Sequence, residues 1–155
     1  MAERSMKRVS DSYTTQVQLL TQANLNGYNR LFGGQLMSWM DIVAAVCARR
    51  HSERNVTTVR VDGLEFRAPA HANDTLVLTA HICYVGRSSM DVCVHVYVEE
   101  LCGGRTLINQ AHFTMVALDE NEQPTPVPEL LLETDQQRAE WQEAVARRKG
   151  EIVSL

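Results

Sequence analysis

What the chain lacks narrows its possibilities before any residue is given a role. Its four cysteines, Cys47, Cys83, Cys93 and Cys102, contain no C-x-x-C pair, and no apolar run follows Arg4, Lys7 and Arg8. The start therefore does not read as a signal peptide, and the cysteines read as reduced packing thiols of a cytoplasmic protein. No stretch reaches the roughly 18 apolar residues of a membrane helix, so no membrane partner is expected. There is no basic excess. The formal net charge of -4 argues against a general nucleic-acid binder. Neither H-E-x-x-H nor a Cys/His zinc spacing occurs, and neither does a G-x-S-x-G elbow nor a Walker or Rossmann glycine pattern. His81, His95 and His112 lie in adjacent strand-like runs and can approach one another, but the spacing predicts no metal. Internal repeats and low-complexity tracts are absent too.

What is present is one domain's worth of chain: 155 residues, 45% hydrophobic and 22% charged. Thr14 to Leu20 alternates as a short strand does, and a polar loop follows from Thr21 to Arg30. Gly33-Gly34 opens an apolar stretch over 35–50. Leu36, Met37, Met40, Val43, Ala44 and Cys47 recur there at helical spacing, and Ile42, Ala45 and Val46 make the other face apolar as well. The pattern predicts a helix about 16 residues long, roughly 24 Å at 1.5 Å per residue, buried on most sides. Arg49, Arg50 and His51 suit its C-terminus.

Four long alternating runs follow, over 57–66, 75–85, 90–101 and 106–118, with short turns at Asn73-Asp74, Gly86 to Ser89 and Gly103-Gly104. Long strands with short turns imply an antiparallel meander, wrapped as a curved sheet of about five strands around the helix. This α+β core occupies about 13–118. Pro124, Pro126 and Pro128 mark an extended linker over 124–130. A last helix is predicted over 134–149, with Thr134 as N-cap, Gln137 as its capping-box partner and a narrow stripe of Trp141, Ala144 and Val145.

Asp41 is the outstanding polar residue, the one acid between Ser12 and Glu53. Among Met37, Met40, Ile42 and Ala45, a carboxylate needs a partner or a job. It can serve as a general base on water or as a nucleophile, and the sequence does not choose. Gly33 and Gly34 begin the helix, where unpartnered N–H groups form the positive end of the dipole and glycine allows a carbonyl to approach. Asp41 stands seven residues beyond Gly34, which returns to nearly the same helical face.

The run Asn26-Gly27-Tyr28-Asn29-Arg30-Leu31-Phe32-Gly33-Gly34, followed by Asp41 within the helix, resembles the signature of the cytosolic acyl-CoA hydrolase branch of hotdog-fold thioesterases. The likeness continues through Ala-Arg-Arg-His at 48–51, Val61 to Pro69, Gly86 to Met90 and the linker, so it covers nearly the whole chain. Two positions depart from the family pattern. Asn29 stands where glycine is usual, and asparagine tolerates positive φ next best. Ile42 stands where a glutamate is usual.

The resemblance implies hydrolysis of fatty acyl-CoA to fatty acid and coenzyme A, with no cofactor. It implies that Asn26 orients the water or the thioester, and that Asn26 and Asp41 of one site come from different subunits. A homodimer is then the minimum active unit, and a homohexamer, a trimer of dimers, is the expected assembly. Arg87, with Ser88 and Ser89 in a turn, is the implied holder of the coenzyme A phosphates, and Arg67 is a second candidate. The rival readings are a non-catalytic acyl-CoA sensor and another hotdog enzyme such as a dehydratase. The latter needs a histidine set against the helical acid, and none precedes the helix.

Overall fold

One helix dictates the arrangement. In the computed structural model, which describes residues 3–150, α2 spans Gly33–Ser52. It buries Leu36, Met40, Val43, Ala44, Cys47, Ala48 and His51, a stripe recurring every three to four residues. The stripe lies against the inner face of a five-stranded antiparallel sheet, formed by β2 (Thr14–Leu19), β3 (Asn55–Phe66), β4 (Thr75–Val85), β5 (Ser89–Glu99) and β6 (Arg105–Leu118). Alternation decides which side chains face the helix. Leu78, Ala80, Ile82, Val92, Val94, Val96, Phe113 and Met115 are all 1% exposed or less. The opposite flank of α2 is open, and Ile42 is 50% exposed. The expectation of burial on most sides therefore holds for one face of the helix only. No element among the described residues covers the other.

The strand order is β2-β4-β5-β6-β3. Only β4, β5 and β6 form the expected meander. β3 does not pair with its successor β4. It crosses to the far side of the sheet and pairs with β6 as an edge strand, with register shifts between Thr58 and Arg60 and between Asp62 and Glu65. β2 is the other edge, so α2 joins one edge of the sheet to the other.

Two short parallel strands were not expected from the sequence. β1 (Met6–Arg8) pairs with β7 (Glu129–Leu131), which takes in the end of the proline linker expected over 124–130. A four-residue helix, α1 (Val9–Ser12), follows β1. Arg4 strengthens the strap by donating from Nε to the Val127 carbonyl and from Nη2 to the Gly86 carbonyl, both at 2.7 Å.

The last helix, α3 (Asp135–Arg148), begins at the expected cap. The Thr134 hydroxyl accepts from the Gln137 amide at 3.1 Å. The Gln137 side chain reaches one residue further back than a capping box requires, accepting from the Glu133 amide at 2.7 Å. α3 lies on the outer face of the sheet. Ala144 is buried with Cys83 and Cys93, and the Trp141 and Tyr84 ring centroids stand 4.4 Å apart. At the far end of α3, Arg148 grips Asp91 through Nη2 at 2.7 Å and Nε at 3.1 Å. Three cysteines are buried, as expected, but Cys102 is exposed in the β5–β6 turn, where no packing surface exists.

A buried histidine, His51, and a half-buried one, His112, couple this packing to pH. The His51 Nε2 lies 2.8 Å from the Pro128 carbonyl. A carbonyl only accepts, so Nε2 carries the proton, and Nδ1 has no partner among the described residues. Burial, opposed by that hydrogen bond, lowers the His51 pKa. Burial and then the Arg147 charge lower that of His112 from 6.5 to about 4. Both rings bind their protons less readily in the folded protein than in the unfolded chain, which takes them up below about pH 6.5. Stability should thus be greatest above that pH and fall toward pH 4. Measured as an unfolding midpoint at fixed protein concentration, the fall should be shallower in His112→Gln than in wild type. Parallel curves would show that His112 carries no such coupling.

Candidate active site

The entrance to α2 is unusual in its capping. The N-cap is Phe32, in extended conformation with φ -66° and ψ 125°, and it supplies no capping hydrogen bond. The first intrahelical amide contact is Leu36 to the Phe32 carbonyl at 3.1 Å. The amides of Gly33, Gly34 and Gln35 therefore stand without a partner inside the helix, at the positive end of its dipole. The glycines keep the approach open. A Cβ on Gly34 would lie 2.7 Å from the Phe32 ring, and one on Gly33 would lie 3.7 Å from the ring of Phe66.

The loop ahead of the helix is tied by Asn26. Its Oδ1 accepts from the amides of Tyr28 at 2.9 Å and Arg30 at 3.3 Å, while its own amide donates to the Arg30 carbonyl at 2.8 Å. This tight turn requires a left-handed residue, and Asn29 supplies it at φ 60°. The loop is then moored by Leu31, whose amide donates to the Ala70 carbonyl at 2.8 Å. With its oxygen so engaged, the Asn26 Nδ2 makes no hydrogen bond among the described residues. Asn26, Gly33 and Arg67 line one cleft of about 360 Å³ with Leu36, Phe66 and Ile108 as its apolar walls. Arg67 is held at the rim by Glu65, whose Oε2 accepts from its Nη2 at 3.0 Å and its Nε at 3.1 Å.

Asp41 does not line that cleft. Its Oδ1 accepts from the Thr58 hydroxyl at 2.6 Å. That hydroxyl also lies 3.2 Å from the Met115 sulfur, but it has one proton, and a carboxylate is much the better acceptor. Thr58 comes from β3, so the carboxylate is fixed against the free edge of the sheet. The sequence reading missed Thr58. A polar side chain in an alternating strand carries no sign of which helix residue it will meet, because the contact depends on β3 crossing to β6.

The Arg87 turn lies elsewhere. The Gly86 amide donates to the Ser89 carbonyl at 2.9 Å, and the Val127 and Ala117 amides donate to the carbonyls of Arg87 and Ser88. These contacts fix the backbone of Arg87, Ser88 and Ser89 and leave the Arg87 side chain exposed. Ser89 pairs with Val116, whereas Phe66 at the cleft pairs with Asn109. Seven residues along β6 separate the two levels, roughly 24 Å at 3.4 Å per residue. Thr58 pairs with Met115, close to the Arg87 level. Within one chain, then, Asn26, Gly33 and Arg67 gather at one end of the sheet, and Asp41 is anchored toward the other.

A long helix laid on five antiparallel strands in this order is the hotdog fold. The family described as the thioesterase superfamily matches residues 28–102. The chain is 41% identical over 113 residues to a Bacillus subtilis protein named as an uncharacterized acyl-CoA thioester hydrolase, YkhA, covering 72% of this chain and 66% of that protein. It is 34% identical to mouse acyl-coenzyme A thioesterase 11 over 86% of its own length but only 23% of the mouse protein's. Among solved structures, an apo-hexameric acyl-CoA thioesterase superposes with a TM-score of 0.90 at 32% identity, covering 95% of both chains. The Staphylococcus aureus acyl-CoA hydrolase, solved with butyryl coenzyme A and coenzyme A, gives 0.87 at 31%, covering 94% of this chain and 91% of its own. That hydrolase has also been solved with an asparagine, an aspartate and a threonine each replaced by alanine. The chain belongs to the thioesterase superfamily.

The turn-holding role of Asn26 is tested by substitution. Asn26→Asp keeps the oxygen that holds the turn and should leave the unfolding midpoint nearly unchanged. Asn26→Ala removes it and should cost about 1 kcal/mol. Thermal unfolding of both variants checks this, and equal midpoints would mean that the turn does not depend on the side chain.

Proposed function

We propose that this protein hydrolyses fatty acyl-CoA thioesters to free carboxylic acid and coenzyme A in a site shared by two copies of the chain. The observation that carries the reading is the anchoring of Asp41 by Thr58 at an unpaired sheet edge, with Asn26 and the open helix entrance toward the other end. Val59, Val61 and Phe66 on that edge are exposed, as is Ile42 beside it. An unpaired apolar edge invites a second strand. If two β3 edges pair antiparallel about a two-fold axis, the ends invert. The Asp41 end of one copy then lies beside the Asn26 end of the other.

In such a site the Asp41 carboxylate acts as general base. The Thr58 hydroxyl occupies Oδ1 and leaves Oδ2 to take a proton from water. The water oxygen bonds to the thioester carbon, and the carbonyl electrons move to oxygen, where the Gly33 and Gly34 amides stabilise them. Collapse breaks the C–S bond, and the departing thiolate takes the proton from Asp41. The Asn26 Nδ2, unengaged in the turn, orients the water or the carbonyl. Arg87, with Ser88 and Ser89, and secondarily Arg67, hold the phosphates of the carrier. The asparagine, aspartate and threonine altered in the Staphylococcus aureus hydrolase stand fifteen and seventeen residues apart, the separations of Asn26, Asp41 and Thr58 here. The hexameric thioesterases that superpose on this chain support a homohexamer of three such dimers. We place the protein in the cytoplasm, and no helix among the described residues is long and apolar enough to cross a membrane.

Asp41→Asn should lower kcat by on the order of 10²-fold or more without loss of fold. Release of coenzyme A from a fatty acyl-CoA, followed with a chromogenic thiol reagent, measures it. A variant that kept most of its rate would remove Asp41 from the reaction. Absence of thiol release by the wild type would favour a sensor.

Mixing two inactive variants tests the shared site. Co-refolded Asn26→Ala and Asp41→Ala chains form mixed dimers in about half of random pairings, each with one intact site, so about a quarter of wild-type activity should return. No recovery under full subunit exchange would put both residues of a site in one chain.

A further inference from the structure

The outer face of the sheet carries a second cluster of reactive side chains, on the side away from α2 and Asp41. His81 on β4 stands directly opposite Cys93 on β5, and His95 lies two residues along the same face. One ligating atom from each of these three residues lies within 4.8 Å of the other two. The Cys93 sulfur is 3.8 Å from the His95 Nδ1, and the His81 and His95 rings are nearly parallel with centroids 6.3 Å apart. Tetrahedral zinc with bonds of about 2.0 to 2.3 Å holds its ligands roughly 3.3 to 3.8 Å apart, within a small rotamer change of this arrangement. The cluster is roofed by α3, whose Glu140 Oε2 lies 2.7 Å from the His81 Nε2.

We propose that His81, Cys93 and His95 form a binding site for a borderline-soft divalent metal of the zinc class, with Glu140 orienting His81. One thiolate and two imidazoles are the donors that zinc selects, and three protein ligands leave the fourth corner to water. A carboxylate on one ring nitrogen of a ligating histidine fixes its tautomer and turns the other nitrogen toward the metal. The protonation states divide: His95 is held in its ligating form, whereas Cys93 is held as the neutral thiol. Burial, followed by the effect of His81, lowers the His95 pKa, so its ring is neutral with a lone pair to give. Burial, then the Glu140 charge, pushes the Cys93 thiol up to about 12, so a bound cation is what would ionise it. The site ties α3 to β4 and β5, and its consequence is the docking of that helix rather than thioester cleavage.

The test uses untagged full-length protein carrying Cys102→Ser, which removes the exposed thiol. Titration with Co2+ should give a thiolate-to-metal charge-transfer band and the visible bands of a tetrahedral site, at one equivalent per chain. Zn2+ should displace Co2+ and raise the unfolding midpoint. Cys93→Ser should abolish the charge-transfer band, His81→Asn and His95→Asn should each weaken binding, and Glu140→Gln should weaken it by about 10- to 100-fold. Circular dichroism confirms that each variant is folded. The site is disproved if the folded parent takes up neither metal, or if Cys93→Ser keeps the band and the midpoint shift. Neither result bears on the thioesterase reading, because Asp41, Asn26 and Gly33 are not part of the cluster.

Discussion

The contact on which the molecule depends is that between the buried stripe of α2 and the inner face of β4, β5 and β6. Each large side chain committed to it is stabilised by about 1.5 to 3 kcal/mol through removal from water. Leu36, Met40 and Val43 supply one layer, and Leu78, Ile82, Val92, Val96 and Phe113 the other. This packing fixes the rotation of the helix about its axis. With the stripe turned inward, Asp41 is carried to the flank facing β3, within reach of Thr58, and Ile42 is turned to solvent. The position of the carboxylate is thus a by-product of hydrophobic burial, refined by one hydroxyl.

Local features of this architecture were legible in the chain, and long-range ones were not. The alternation over 75–85 coincides with β4, Thr134 caps α3, and Asn29 adopts the left-handed conformation that its place in the loop demanded. Each depends on neighbours a few residues away. The crossing of β3 to β6 does not, because alternation tells which face a residue occupies and says nothing about the partner strand. Thr58, the β1–β7 strap and the open flank of α2 all depend on pairings that no local pattern encodes.

The outer-face cluster shows the same division. Spacing rules for metal sites assume ligands close in sequence, as in a finger or a helical motif. His81 and Cys93 are opposed by strand register, and histidine and cysteine within an apolar strand look like ordinary half-buried residues until that register is known. Cys102, the residue wrongly expected to pack, is the converse case. Its turn, with Gly103 and Gly104, bends away from every surface that could have received the side chain.

Phe32 at the head of α2 has a consequence for how this protein can be altered. A serine, threonine or aspartate at an N-cap is worth about 1 kcal/mol over an apolar residue, so the helix entrance is held below the stability that a common substitution would provide. A capping oxygen there would bond the amides of the first turn and, under the proposed mechanism, occupy the place where negative charge is to be received. On that proposal, improving the fold at this position and preserving reactivity are opposed aims. A screen for thermostable variants would be drawn to residue 32 and would recover, at that position, hardier proteins that work less well.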